Sequence, residues 1–147
     1  MKKAKELIDK GYRHEIKIKG NLNFRQKVEK ALEHIKTAGY YDFLVAYIRE
    51  IEEIDGLTQL RNADAAIWTN RYAVQNPVDA ASIFVQKANH MKEYLELTDY
   101  YGGEAEKRSN SKRTGFLEKL KTKSQEKEVK AECGRLLNLW RESSLVY

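Results

Sequence analysis

One strong helix start, Asn76-Pro77, constrains the fold of this chain more than any other feature. The asparagine side chain can accept hydrogen bonds from the first helical N–H groups. Proline suits the first helical position because its missing N–H would have no partner there. The segment that follows is apolar on most sides over its first half. A helix of this kind belongs in the interior, so we predict a central buried helix over residues 77–96, with the rest of the chain packed around it.

Two short segments predict strands. Polar and apolar residues alternate from His14 to Lys19, as they do in a strand with one face in the core. β-Branched and aromatic residues are concentrated between 66 and 74, which favours a second strand. In that strand Trp68, Tyr72 and Val74 would share a face.

Helical periodicity covers most of the remaining chain. A helix is expected to begin at Leu22, with Asn21 or Asn23 as its cap, and to end at Gly39. The apolar stripe of a second helix continues until about Gly56. Two further helices are expected at about 104–121 and 125–142.

Together these elements predict an α+β domain that is predominantly helical, with a small antiparallel or mixed sheet packed against the central helix. A length of 147 residues suits a single domain. We place its core at about residues 14–142. The basic segment 1–12 is expected to be a short helix or loose chain.

Composition narrows the classes of function. No apolar run reaches the roughly 20 residues that a bilayer requires, and the charged N-terminus lacks a secretion signal, which predicts a cytoplasmic protein without a membrane partner. The single cysteine, Cys133, excludes an internal disulfide and a cysteine-rich zinc site. The histidines His14, His34 and His90 show no ligand spacing. The residues therefore predict no metal, no cofactor and no catalytic set.

The central helix carries a resemblance to a known family. Residues 80–90 resemble the active-site helix of zinc metallopeptidases, the zincins, in which an apolar run leads into His-Glu, two residues and His. In that motif the two histidines bind zinc and the glutamate activates a metal-bound water. Here Gln86 stands at the first histidine and Lys87 at the glutamate. Only His90 matches.

A second stretch extends the resemblance to about residues 14–120. Residues 100–106 are similar to the segment from which glutamate-type zincins draw their third ligand, and Glu106 stands at that position, ahead of Glu104. An amide is a poor zinc ligand, and the Lys87 ammonium cannot act as a base.

The resemblance therefore implies a scaffold that has kept its shape and lost its metal and its catalysis. Lys87 would then pair with Glu106 in place of the metal charge. Because zincin substrates lie along an edge strand, the 66–74 strand would border a vestigial cleft that binds a peptide or a partner protein.

Two other classes of function fit the composition. Lysine and arginine number 27 against 22 acidic residues, and the excess lies at the two ends of the chain, which suits a small helical module that binds nucleic acid. The tyrosines suit a protein that self-associates, for example as a homodimer. The basic patch of the first alternative comprises Lys107, Arg108, Lys112, Arg113 and Lys119.

Overall fold

The computed structural model describes residues 15–96 and 102–146, and within these ranges it contains a four-stranded mixed sheet and five α-helices. The predominantly helical α+β class is confirmed. The expectations for residues 1–12, for His14 and for residues 100 and 101 lie outside the described ranges. The strands are β1 (Lys17–Lys19), β2 (Glu50–Glu53), β3 (Gln59–Arg61) and β4 (Ala66–Thr69), and the helices are α1 (Leu22–Thr37), α2 (Tyr41–Tyr47), α3 (Pro77–Leu95), α4 (Gly103–Lys123) and α5 (Lys127–Val146).

The sheet has the order β1-β2-β4-β3. Strands β1, β2 and β4 are parallel, whereas β3 runs antiparallel to β4 and forms an edge. The pairing aligns Ile18, Ile51, Ile67 and Leu60 across the four strands. Because side chains alternate between the two faces of a sheet, this aligned row forms its core face.

Helix α3 lies at the centre of the fold, as its start signal predicts. The Asn76 side chain accepts hydrogen bonds from the N–H groups of Val78 and Asp79, at 3.1 and 3.2 Å. Large side chains such as Phe84 and Met91 are almost completely buried. Helix α3 contacts each of the other four helices and also β3. None of the helices in the described ranges combines the length and the apolar character needed to cross a bilayer.

The predicted second helix is only partly correct. It ends at Tyr47, and the residues that were expected to continue it to Gly56 form β2 instead. Ile51 is fully buried between its parallel neighbours Ile18 and Ile67. Pairing with two strands satisfies the backbone of β2 on both sides, and this tertiary gain outweighs the helical period of the segment.

The predicted 66–74 strand is too long, and it does not lie at the edge of the sheet. It ends at Thr69 because the Asn70 side chain accepts hydrogen bonds from the N–H groups of Tyr72 and Ala73, at 3.0 and 2.9 Å, and turns the chain. Tyr72 is therefore exposed while Val74 is buried, so these two residues do not share a strand face. Strand β4 is interior, between β2 and β3, and the antiparallel edge is β3.

The cap of α1 also joins the helix to the sheet. Of the two candidate asparagines, Asn21 is the cap, and its side-chain oxygen accepts a hydrogen bond from Phe24 N at 2.9 Å. Its own backbone N–H donates to Glu53 Oε1 at the end of β2, also at 2.9 Å. Asn23 is exposed on the first turn of α1.

Replacement of the capping residue, Asn21→Ala, is expected to lower the free energy of unfolding by about 1 kcal/mol, because the Phe24 N–H loses its partner. The neighbouring substitution Asn23→Ala is the matched control and should change it by less than about 0.5 kcal/mol. Urea unfolding measures both variants. Equal losses would show that Asn21 does not cap this helix.

Candidate functional site

Polar side chains join α3 to α4 along a large part of their interface. Arg113 on α4 donates to Asp79 Oδ1 at 2.6 Å and to Ser82 Oγ at 2.8 Å. About one turn further along α3, Gln86 Nε2 donates to Asn110 Oδ1 at 3.0 Å. Gln86 follows Asp79 on α3, whereas its partner Asn110 precedes Arg113 on α4. The two helices therefore run antiparallel.

The same interface contains a buried carboxylate. Glu93 on α3 is 5% exposed, and its oxygens accept hydrogen bonds from the Arg108 guanidinium at 2.7 and 3.3 Å and from Asn89 Nδ2 at 3.3 Å. The hydrogen bond from Arg108 is the main reason that the pKa of Glu93 lies below its usual range. Glu93 is therefore held ionised inside the fold by residues of both helices.

The zincin-like positions lie on the same two helices. His90 is one turn after Gln86 on α3, and Glu106 is one turn before Asn110 on α4, so the antiparallel register places them on facing sides. Burial lowers the pKa of His90, and the Lys87 charge lowers it further, while the Glu106 carboxylate opposes both effects. The structure thus brings Gln86, Lys87, His90 and Glu106 into one neighbourhood.

The Glu106 carboxylate acts electrostatically on Lys87 without an ion pair between them. Burial is the largest cause of the lowered pKa of Lys87, Glu106 counteracts it, and Arg113 adds to it. In the described part of the chain, no ion pair links the Lys87 ammonium to the Glu106 carboxylate, so the direct pair expected from the sequence is not formed. Nor do any three His, Cys, Asp or Glu side chains of those residues form a group that could hold a metal ion.

Three residues of the predicted basic patch contact side chains of other helices. Arg108 and Arg113 pair with carboxylates of α3, and Arg113 also lies over the Trp140 ring, 5.0 Å from its centre. The Lys112 ammonium lies 4.3 Å from the centre of the Phe43 ring. The other two residues, Lys107 and Lys119, are exposed on α4. A role in nucleic-acid binding stays a prediction.

Sequence reasoning did not identify the partners on which this arrangement depends. Asn110, Glu93 and Asp79 were not candidates, because each lies in an unremarkable helical context. The one available signal is the position of Glu93 on a helix that is otherwise apolar on most sides, since a carboxylate there needs a partner when it is buried.

Comparison of the chain with protein-family models, with curated proteins and with solved structures finds no match. Its function is therefore inferred from its own residues.

The variant Glu93→Gln is expected to lower the free energy of unfolding near neutral pH by about 1–2 kcal/mol, because the charged acceptor for Arg108 and Asn89 is lost. The pKa of Glu93 in the folded protein is below 4.5, its usual value. The stabilisation that Glu93 provides relative to glutamine is therefore complete above pH 4.5. It is lost as the pH falls through the lowered pKa of Glu93. Urea unfolding at a series of acid pH values measures it.

The matched control is Glu29→Gln, at an exposed position of α1. The free energy of unfolding of this variant should differ from that of the natural chain by a small amount that stays constant with pH. A Glu93→Gln difference that is equally constant would contradict a carboxylate stabilised by Arg108.

Proposed function

We propose that this chain is a non-catalytic binding domain with a zincin-like arrangement, which binds an extended peptide segment of a partner protein along β3. One observation carries the proposal. Positions 86, 90 and 106 lie on facing sides of α3 and α4, and α3 contacts an antiparallel edge strand of the sheet.

The residues at these positions support binding without metal chemistry. The Gln86 amide is neutral and already hydrogen-bonded to Asn110. Lys87 carries a positive charge at the position where the zincin motif has its carboxylate base, and a cation beside a zinc ion would be repelled. Only His90 and Glu106 retain groups that bind zinc well, and two protein ligands are fewer than the three of a catalytic zinc site.

Strand β3 supports the binding of an extended chain. Extended peptides add to sheet edges through main-chain hydrogen bonds, and the pockets next to the edge select their side chains. The three residues of β3 are exposed or partly exposed, and β4 covers one side of the strand only. The Arg61 guanidinium lies over the Trp68 ring of β4, 4.3 Å from its centre, which orders the side chains next to this edge.

The double variant Gln86→His, Lys87→Glu tests the arrangement of the site. It is expected to bind about one zinc ion per chain, because it would supply two imidazoles one helical turn apart and the facing Glu106 carboxylate. The unaltered chain is expected to retain none. Metal analysis by mass spectrometry of dialysed protein measures both.

The matched control adds Glu106→Gln to the double variant and should bind zinc far more weakly. Circular dichroism establishes that each variant is folded. If a folded double variant takes up no zinc, or if the loss of Glu106 has no effect, positions 86, 90 and 106 do not form a vestigial metal site.

Peptide binding tests the function itself. The capped peptide Ac-Thr-Val-Arg-Val-Thr-NH2 is expected to shift the backbone amide NMR signals of Gln59, Leu60 and Arg61, because it would extend the sheet beyond β3. The same peptide with methylated backbone nitrogens is the control, since it cannot donate the main-chain hydrogen bonds. Equal binding of both peptides, or shifts that avoid β3, would rule out this mode of binding.

A further inference from the structure

A cavity of about 350 Å³ lies where β2 and β4 end and β3 begins. Its walls come from residues 54–57, which lead from β2 to β3, and from residues 70–72, which follow β4. Asn70 holds the two walls together, because its Nδ2 donates to Gly56 O at 2.9 Å. The hydroxyl groups of Thr58 and Thr69, 2.6 Å apart, form a second link next to it.

Two large apolar side chains in these walls are unusually exposed. Leu57 is 85% exposed and Tyr72 is 71% exposed, although most of the large apolar side chains in the described ranges are buried. The Arg71 guanidinium lies 4.9 Å from the centre of the Tyr72 ring and donates to its hydroxyl at 2.9 Å. These contacts fix the ring at the cavity and leave most of its surface open to a ligand.

The charges around the cavity favour a cationic ligand. Asp55 lines the cavity, and Glu53 lies just before it at the end of β2. Both carboxylates act electrostatically on Arg71, which is the only cationic residue in the walls. Asp55 balances Arg71 within the walls, and Glu53 adds a second carboxylate next to them, so a second positive charge can be accommodated beside Asp55.

We propose that this cavity binds an arginine or lysine side chain of the peptide that adds to β3. The inference rests on the function proposed above, because the last wall residue, Leu57, lies two residues before the start of that strand. A long basic side chain matches both the exposed apolar surface and the carboxylate of the walls. Its aliphatic part covers Leu57 and Tyr72, and its charged end reaches Asp55. The ligand is therefore an extended segment of another protein that carries a basic residue at this point.

A series of peptides tests the proposal by NMR titration. The central arginine of Ac-Thr-Val-Arg-Val-Thr-NH2 is replaced by citrulline, which keeps the shape and removes the charge, by norleucine, which is apolar only, and by glutamate. The arginine peptide is expected to bind about threefold to fivefold more tightly than the citrulline peptide, as a partly exposed ion pair allows. Its shifts should include residues 54–57 and 70–72 as well as β3.

Three substitutions, one of them a control, locate the preference for arginine and the apolar contact. Asp55→Asn should remove the preference for arginine over citrulline, whereas Asp64→Asn, at an exposed acidic position outside the cavity walls, should keep it. Tyr72→Ala should weaken the binding of the arginine, citrulline and norleucine peptides, because each peptide loses its contact with the apolar surface of the ring. A preference for arginine that survives Asp55→Asn would overturn the proposal.

The outcomes separate this proposal from the one on which it rests. If all the peptides shift β3 equally, the edge strand binds peptides and the basic specificity of the cavity is wrong. If norleucine binds as tightly as arginine, the cavity is an apolar pocket and the proposal fails. If no peptide shifts β3, the peptide-binding function fails and this inference fails with it.

Discussion

The burial of α3 is the constraint on which the rest of this structure depends. Asn76 holds its first turn, and the other four helices of the described ranges and one edge of the sheet contact it. A helix covered in this way cannot leave a polar side chain unpaired without a cost of about 1–3 kcal/mol. Asp79, Gln86 and Glu93 are each partly or fully buried on α3, and each pairs with a side chain of α4. Arg113, Asn110 and Arg108 on α4 meet this requirement.

These pairs also fix the register of α3 against α4. The antiparallel register that joins Gln86 to Asn110 places His90 opposite Glu106. Under the proposed zincin-like arrangement, the Gln86 amide and the half-buried Lys87 ammonium stand where the motif has an imidazole and a carboxylate. The proposed binding surface is the edge strand β3, with the cavity just before its first residue.

The elements that could be predicted from sequence are those whose signals are local. The caps of α1 and α3 act over two or three residues, so Asn21 and Asn76 reveal both helix starts. The strand β2 was missed because the spacing from Leu44 to Ile51 satisfies a helical period. Its strand conformation is decided by β1 and β4, which are distant in sequence. The same rule holds for the contacts of α3: the resemblance drew attention to Gln86, whereas its partner Asn110 was not identified, since nothing local indicates that the two residues meet.

The sequence by itself determined that this is a helix-rich α+β chain with a buried central helix, and which chemical groups stand at positions 86, 87 and 90. Periodicity, capping and side-chain chemistry act over a few residues and need no partner. Only the tertiary structure decided that β3 is the edge strand, that Arg108 and Arg113 pair with carboxylates of α3, and that Leu57 and Tyr72 meet at a cavity. The physical reason is that these features depend on pairs far apart in the chain, such as Arg113 and Asp79, which are separated by 34 residues. Such pairs exist only after the core has brought their elements together.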